Sequence, residues 1–294
     1  MSAHTHDGID WVTRLADLRQ ADEANGPAYR GVADRLIESL PAPCPTVMDV
    51  GSGAGGMSAA LAEALAGRAA RSGGAQDAGM IVLVDAVPEL LDAAAGLVRS
   101  VPGVGVRAAL VDLAVGTDES FAADLVWASN VAHHVPDQRA VVTTLAGWLA
   151  PGGCLALAEG GLSMRCLPWD IGIGEPGLQD RILAAQGTWF ASMRTEMPGS
   201  VRLPVGWNVV LAEAGLSDVT AFTYLVDVPA PLSDGGRAAV RGWLAWLSTA
   251  TDLLDPADQA VVARLLDPAD AAYVGRREDV FLLKASTVHL GWHK

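Results

Sequence analysis

Three carboxylates stand where a ligand could meet them. In "VMDVGSGAGG" (47–56) an apolar run carries Asp49 two residues ahead of Gly51 and then breaks into Gly53, Gly55 and Gly56. Asp85 closes the apolar run "MIVLVD" (80–85), and Asp112 lies near the end of "VGVRAALVDL" (104–113). A glycine turn between a strand and a helix lets a nucleotide-like ligand approach the backbone. The spacing satisfies both G-x-G-x-G and G-x-G-x-x-G, so the glycines alone do not name that ligand. In doubly wound sheets ligands sit at the carboxyl ends of the strands near the switch point, so all three acids would edge one crevice. There a carboxylate at Asp85 can accept from ribose hydroxyls, and one at Asp112 from an exocyclic adenine amine. Asp49 does not suit a pyrophosphate, because like charges about 4 Å apart repel by about 1 kcal/mol in water and several-fold more near protein. It suits a ligand carrying an ammonium group and a sulfonium. An acid bound to backbone N–H groups of its own turn is the alternative for Asp49.

A second group of residues could move a proton. "NVAHHVPD" supplies His133 and His134, the one adjacent pair among six histidines, and imidazole titrates near neutral pH. The bland alternative is that they pack or hydrogen-bond their loop. Glu159 ends "CLALAEG", with hydrogen bonding to the neighbouring glycine backbone as its alternative role. Tyr29, beside Arg30, lies in an N-terminal helix that would fold over the crevice. Trp169, Trp189, Phe190 and Trp207 offer broad apolar faces suited to a planar acceptor or to developing positive charge. The alternative for each is a place in the core, which is the expectation for Trp127 and Trp148. Cys44, Cys154 and Cys166 have no metal-like spacing, and no metal is expected.

These side chains must be held by regular elements. Residues 9–40 read as two helices, "DWVTRLADLRQADEA" and "YRGVADRLIESL", ended by "PAPCP". From 46 the rhythm becomes strand–helix alternation. Strands are expected at "TVMDV", "MIVLVD", "VGVRAALVDL", "ADLVWASN" and "CLALAEG"; helices at "GMSAALAEALAG", at "PELLDAAAGLVRS" with Pro88 in its first turn, and at "QRAVVTTLAGWLAPGG". Such alternation argues for an α/β fold with a parallel sheet and helices on both faces. Residues 68–79 read as a flexible surface loop. After 161 the alternation fails, and 162–206 reads as an insertion covering the substrate. A helix at 207–216, a strand at 217–229, two helices within 235–267 and a last strand at 278–290 follow.

Composition narrows the partners. The 294 residues carry 20 basic against 34 acidic side chains, a net charge of −14. With two lysines and one basic pair, Arg276–Arg277, no basic patch for nucleic acid is visible. No apolar run approaches the about 20 residues of a membrane span. The polar start "MSAHTHDGIDWV" has no signal core, so a cytoplasmic, reducing setting is expected.

In order along the chain, "VMDVGSGAGG", "VLVDAVPELL", "ALVDLA", "DLVWASNVAHHVPD" and "LAPGGCLALAEGG" resemble the motifs of class I S-adenosylmethionine (SAM) dependent methyltransferases, over about residues 46–160. The tail "YVGRREDVFLLKASTVHL" resembles, less specifically, actinobacterial small-molecule (natural-product) methyltransferases. The resemblance implies a Rossmann-like seven-stranded, mostly parallel sheet whose last strand inserts antiparallel. Its parts would be an N-terminal helical cap (1–45), a SAM-binding core (46–161), the insertion (162–206) and a C-terminal part of the core (207–294). It carries Gly51, Gly53 and Gly55 to the methionine side of SAM, Asp85 with Ala86 to the ribose, Asp112 with Leu113 to the adenine, and Asn130 to the methionine portion. Asp85 follows Gly51 by 34 positions, beyond the about 20 of dinucleotide proteins, but a surface-loop insertion is easily tolerated. The activity implied is methyl transfer to the C, N or O of a small aromatic, indole- or phenol-like metabolite, by in-line displacement with a histidine base. An NAD-type oxidoreductase and a non-methylating SAM-fold protein stay open as alternatives, as does assembly into a homodimer.

Overall fold

Each short apolar run expected as a strand forms one, because its residues alternate between two cores. In a computed structural model of the chain, which describes residues 10–73, 77–247 and 253–294, β1 (Thr46–Val50) sends Val47 into one cluster and Met48 and Val50 into the other. β2 (Gly79–Asp85) splits likewise, Ile81 and Leu83 against Val82 and Val84. So does β4 (Ala123–Ser129), Leu125 and Trp127 against Val126 and Ala128. A strand buried on both faces reads as a continuous apolar run, the pattern of a sheet covered by helices on both sides.

With β3 (Val104–Leu110), β5 (Leu149–Arg165), β6 (Ser217–Val228) and β7 (Leu282–Trp292) the sheet has seven strands in the order β3-β2-β1-β4-β5-β7-β6. β1 is parallel to β2 and β4, β2 to β3, and β4 to β5. β7 runs antiparallel to β5: Gly152 N–H donates to the His293 carbonyl at 2.9 Å, while at the other end Phe281 N–H donates to the Cys166 carbonyl at 3.2 Å. β6 is antiparallel to β7, as Ser217 Oγ on the Trp292 carbonyl and Thr223 beside Thr287 show. α1 (Leu15–Glu38), α2 (Gly56–Arg71) and α3 (Pro88–Arg99) cover one face; α4 (Gln138–Gly147) and α6 (Trp207–Glu213) cover the other.

The chain packs as two units. The first comprises Met1–Gly160, Met197–Tyr224 and Ser286–Lys294, the second Gly161–Glu196 and Leu225–Ala285. Within the second lie α5 (Leu178–Glu196), α7 (Asp234–Leu247) and α8 (Pro256–Leu266). Arg181 of α5 grips the buried Asp258 of α8 at 2.5 and 2.8 Å. Trp189 meets Trp246 of α7 edge to face, centroids 6.2 Å apart.

Several boundaries differ from the sequence reading. The two helices expected in 9–40 are one, α1, which runs through Pro27. Its stripe of Val32, Ala33, Leu36 and Ile37 is buried in the core with Leu61 and Leu65 of α2. That burial outweighs the hydrogen bond a proline removes. α2 continues past Gly67 to Arg71, so 68–71 is helix rather than loop; residues 74–76 of that expected loop, like 1–9 of the polar start, lie outside the described residues. Within the expected irregular insertion, Leu178–Glu196 form the 19-residue helix α5, and the last strand spans 282–292 rather than 278–290.

Arg68 explains why α2 extends. Its guanidinium donates to the Ile37 carbonyl at 2.7 Å, Leu40 at 3.1 Å and Pro43 at 3.2 Å, and also to Ala42. The orphan carbonyls at the end of α1 are thus capped by a side chain of its neighbour. Arg68→Met is expected to lower stability by about 1–3 kcal/mol, read from the urea midpoint. An unshifted midpoint would show that water serves those carbonyls equally well.

Candidate functional site

Where β1, β2 and β4 end, the first unit opens into a cavity of about 300 Å³. Sheet order reverses here, since β1 is flanked by β2 on one side and β4 on the other. The wall includes Asp49 to Ala54, Asp85, Ala86, Asp112, Leu113, Ser129 to Val131, and from α1 and the segment before it Trp11, Asp22 and Tyr29. Asp22, Asp49, Asp85 and Asp112 all stand on that wall, and among its described residues there is no lysine or arginine.

The glycine turn is shaped by what approaches it. Gly51 has φ 69°, and a Cβ there would lie 2.3 Å from Val131 Cγ2, so glycine brings the turn against the loop after β4. Gly51 N–H donates to the Val84 carbonyl at 2.7 Å, Ser52 N–H to the same oxygen at 3.3 Å, and Gly53 N–H to Asp85 Oδ2 at 3.1 Å. These N–H groups therefore do not go to Asp49, which disposes of the alternative role for that acid. Gly55 is not on the cavity wall; its Cβ would lie 2.6 Å from Ala94 Cα, so glycine there allows the close packing of α2 on α3. Asn130 holds the left-handed φ of 55° that asparagine tolerates best, with its N–H on the Ala158 carbonyl.

The acids are satisfied unequally. Asp85 receives N–H bonds from Gly53 and Val87; burial raises its pKa and these bonds, with that of Ala86, oppose the rise. Asp112 Oδ1 accepts from Ala114 N–H at 2.9 Å. Asp22 Oδ2 accepts from Gly56 N–H at 2.9 Å. Asp49 is 2 % exposed and accepts from Ser58 Oγ at 2.5 Å. Burial pushes Asp49 up to about 7; the Ser58 hydroxyl opposes this, and the charges of Asp22 and Asp85 add to it. Ser52 Oγ, in the turn itself, is buried and finds no hydrogen-bond partner among the described residues. Tyr29 accepts from Asn25 Nδ2 at 3.3 Å, and burial, then the charge of Asp22, holds its hydroxyl far above the ordinary value. At neutral pH it is a hydrogen-bond donor and not a base.

The histidines divide. His134 lines the cavity, with the Trp11 ring edge-on at 5.6 Å. His133 lies one ring behind, centroids 4.1 Å apart, its Nδ1 2.7 Å from Glu159 Oε2. Glu159, 3 % exposed, uses Oε1 for Val131 N–H at 2.9 Å and Ala132 N–H at 2.8 Å. It binds the backbone of the histidine loop instead of the glycine pair, and so fixes both the loop and the imidazole.

Of the aromatic candidates, Trp207 begins α6, packs against the core cluster beside α4 and is not on the cavity wall. Trp169, Trp189 and Phe190 belong to the second unit; Trp169 is 71 % exposed and Trp189 packs on Trp246. Trp127, expected in the core, is 1 % exposed yet reaches the cavity. Burial pushes the Cys154 thiol up to about 12 and raises that of Cys166, so neither is a ready nucleophile. Among the described residues no group of His, Cys, Asp or Glu could hold a metal ion, and no helix is long and apolar enough to cross a membrane. Sequence reasoning missed Trp11, Asp22, Ser52 and Ser58. Only Ser58 had a signal, a hydroxyl in the first turn of α2 after an acid-bearing strand.

Residues 48–155 match the family described as "Methyltransferase domain". The chain is 33% identical over 186 residues to the trans-aconitate 2-methyltransferase of Methylobacterium radiotolerans, a match covering 59% of this chain and 62% of that one. It thus spans less than two thirds of the length of the curated relative it matches. Among solved structures it is similar to a candidate methyltransferase of Bacillus halodurans at 14% identity and TM-score 0.48, covering 88% of this chain and 97% of that one. It is also similar to the YcgJ protein of Bacillus subtilis at 16% identity and TM-score 0.47, covering 91% and 99%.

The raised pKa of Asp49 has a sign that can be checked. A carboxyl that keeps its proton in the folded chain up to about 7, but loses it near 4 when unfolded, favours folding at low pH. That contribution is lost as pH rises through the window from about 4 to about 7. Urea midpoints of Asp49→Asn relative to wild type should therefore rise from pH 5 to pH 8. A pH-independent difference would mean that Asp49 titrates normally.

Proposed function

We propose that the chain is a SAM-dependent methyltransferase, with the methyl donor held in the cavity of the first unit and a small aromatic metabolite as acceptor. One observation carries this reading: the cavity presents Asp22, Asp49, Asp85 and Asp112 with no lysine or arginine on its described wall. A pyrophosphate site needs the opposite balance. An adenosine that ends in an ammonium and a sulfonium matches it. The family match over 48–155 and the Methylobacterium relative support the same class of reaction.

The residues present fit such a donor. Asp85, fixed by backbone N–H groups, is assigned to the ribose hydroxyls and Asp112 to the adenine amine, with Ala86 and Leu113 against the ring system. Asp49 faces the ammonium, Gly51, Gly53 and Asn130 lie along the methionine side, and the unpartnered Ser52 hydroxyl is a donor for the amino-acid carboxylate. When bound, SAM supplies a methyl group already activated for displacement. What remains for the protein is alignment, exclusion of water and, for an O–H or N–H acceptor, removal of a proton.

The proton-handling part is assigned to the histidine pair: His134 stands on the cavity wall, and His133 behind it is positioned by Glu159. A carboxylate accepting from Nδ1–H selects the tautomer with its lone pair on Nε2. Trp11, Tyr29 and His134 give the cavity flat faces, which supports an indole- or phenol-like acceptor attacking through C, N or O, of the kind found in secondary metabolism. A polyanion such as trans-aconitate would face these carboxylates with no balancing cation on the wall. A reducing cytoplasm suits the free cysteines Cys44, Cys154 and Cys166.

Calorimetry is expected to show binding of S-adenosylhomocysteine and none of NAD; the reverse result would overturn the assignment. Asp85→Ala should weaken S-adenosylhomocysteine binding by about 1–3 kcal/mol, and unchanged affinity would remove Asp85 from the ribose. With the acceptor identified by a labelled-SAM screen, His133→Ala should cut turnover by about 10²–10⁴ while leaving cofactor affinity intact. Glu159→Gln should lower turnover less and move the pH profile. Full turnover in His133→Ala would end the general-base role.

A further inference from the structure

The start of α2 carries an unusual arrangement. A glycine turn leading into a helix presents backbone N–H groups and a partial positive charge, the setting in which phosphates bind. α2 has no acidic residue in its first turn and no side-chain cap from Gly55. The balancing charge comes instead from another helix: Asp22 of α1 accepts from the N–H of Gly56, the first residue of α2, at 2.9 Å. A second observation shows that this contact is built in. A Cβ on residue 56 would lie 2.3 Å from Asp22 Cγ, and Gly56 is not among the glycines with positive φ. No backbone strain requires glycine there; the approach of Asp22 does. Asp22 also lines the cavity.

We propose that Asp22 is a specificity-determining residue: its carboxylate takes the place of a ligand phosphate at the first amide of α2, so that a turn shaped to admit pyrophosphate-bearing nucleotides rejects them. The inference rests on the reading of the cavity as an adenosine site. It goes further in naming the device that separates a cationic adenosine ligand from an anionic one. The device acts by occupancy, since the amide is already bonded, and by charge, since an incoming phosphate meets a carboxylate at contact distance.

The test uses two probes on the full chain, S-adenosylhomocysteine and ADP, titrated calorimetrically. Wild type should bind ADP weakly or not at all. Asp22→Ala, which frees the amide and removes the charge, should bind ADP about tenfold tighter or more. Asp22→Asn keeps an acceptor for the amide but loses the charge, and should gain less. Gly56→Ala displaces the Asp22 carboxylate from the amide but leaves its charge in the cavity, so it should gain ADP affinity, though less than Asp22→Ala. If Asp22→Ala does not fold, as judged by circular dichroism, Gly56→Ala decides alone. ADP affinity unchanged from wild type in the folded variants overturns the proposal. The underlying reading fails separately. If wild type ignores S-adenosylhomocysteine while Asp22→Ala takes up ADP, the methyltransferase assignment falls and the role of Asp22 stands; the converse result reverses the two.

Discussion

Four carboxylates share one small cavity, and the cost of burying their charge is the constraint around which its wall is arranged. Burial disfavours the charged form and is the largest cause of the raised pKa of both Asp49 and Asp85. At Asp49 the charges of Asp22 and Asp85 add to it. The chain supplies no lysine or arginine to the wall in compensation. It uses neutral donors instead: N–H groups of Gly53 and Val87 for Asp85, of Ala114 for Asp112, of Gly56 for Asp22, and the Ser58 hydroxyl for Asp49. Each donor sits in a turn or at the start of α2, which is why the turns are as tight as they are.

That requirement reaches back into the fold. Gly51 lets the turn after β1 meet Val131, and Val131 and Ala132 are themselves held by Glu159, within β5, the neighbour of β4. The ends of β1 and β4 are therefore tied to the body of β5 through one glycine and one buried carboxylate. The cap is tied to the same place. α1 is fixed at its C-terminal end by Arg68 and contributes Asp22 and Tyr29 to the cavity. A shift of α1 would move both the amide partner of Gly56 and the tyrosine.

Local patterns revealed the frame. Strands β1, β2 and β4 were legible because both faces are buried, which gives short apolar runs bounded by glycine, proline and aspartate. Asp85 and Asp112 were legible because chain order places them at strand ends. Asp22 was not, because its meaning lies in a contact 34 residues away and nothing in the periodicity of α1 marks it. The continuity of α1 through Pro27 was hidden for a similar reason: a proline signals a break locally, while the buried stripe that overrides it depends on α2. The packing role of Gly55 was hidden because a glycine needed for helix–helix contact and one needed for a ligand look alike in sequence. Glu159 was read as ending its strand, whereas β5 runs on to Arg165, and its partners, two amides and the His133 ring, lie on the loop after β4.

The unequal satisfaction of the acids also orders their roles. Asp85 and Glu159 each receive at least two hydrogen bonds from N–H groups, so their carboxyl groups are held in place. Asp49 receives one hydroxyl, sits closer to neutrality than any ordinary aspartate, and feels Asp22 and Asp85 besides. It is the member of the set with the most to gain from an incoming cation. Such a ligand would replace the proton that Asp49 holds below pH about 7. Binding there is then coupled to proton release, and affinity for an ammonium should strengthen as pH rises toward neutrality and level off above it. An anion at the same place would have to bring a proton with it. On the proposed function, charge selects the ligand before any contact of shape is made, and the glycine turn supplies the closeness that makes this selection strong.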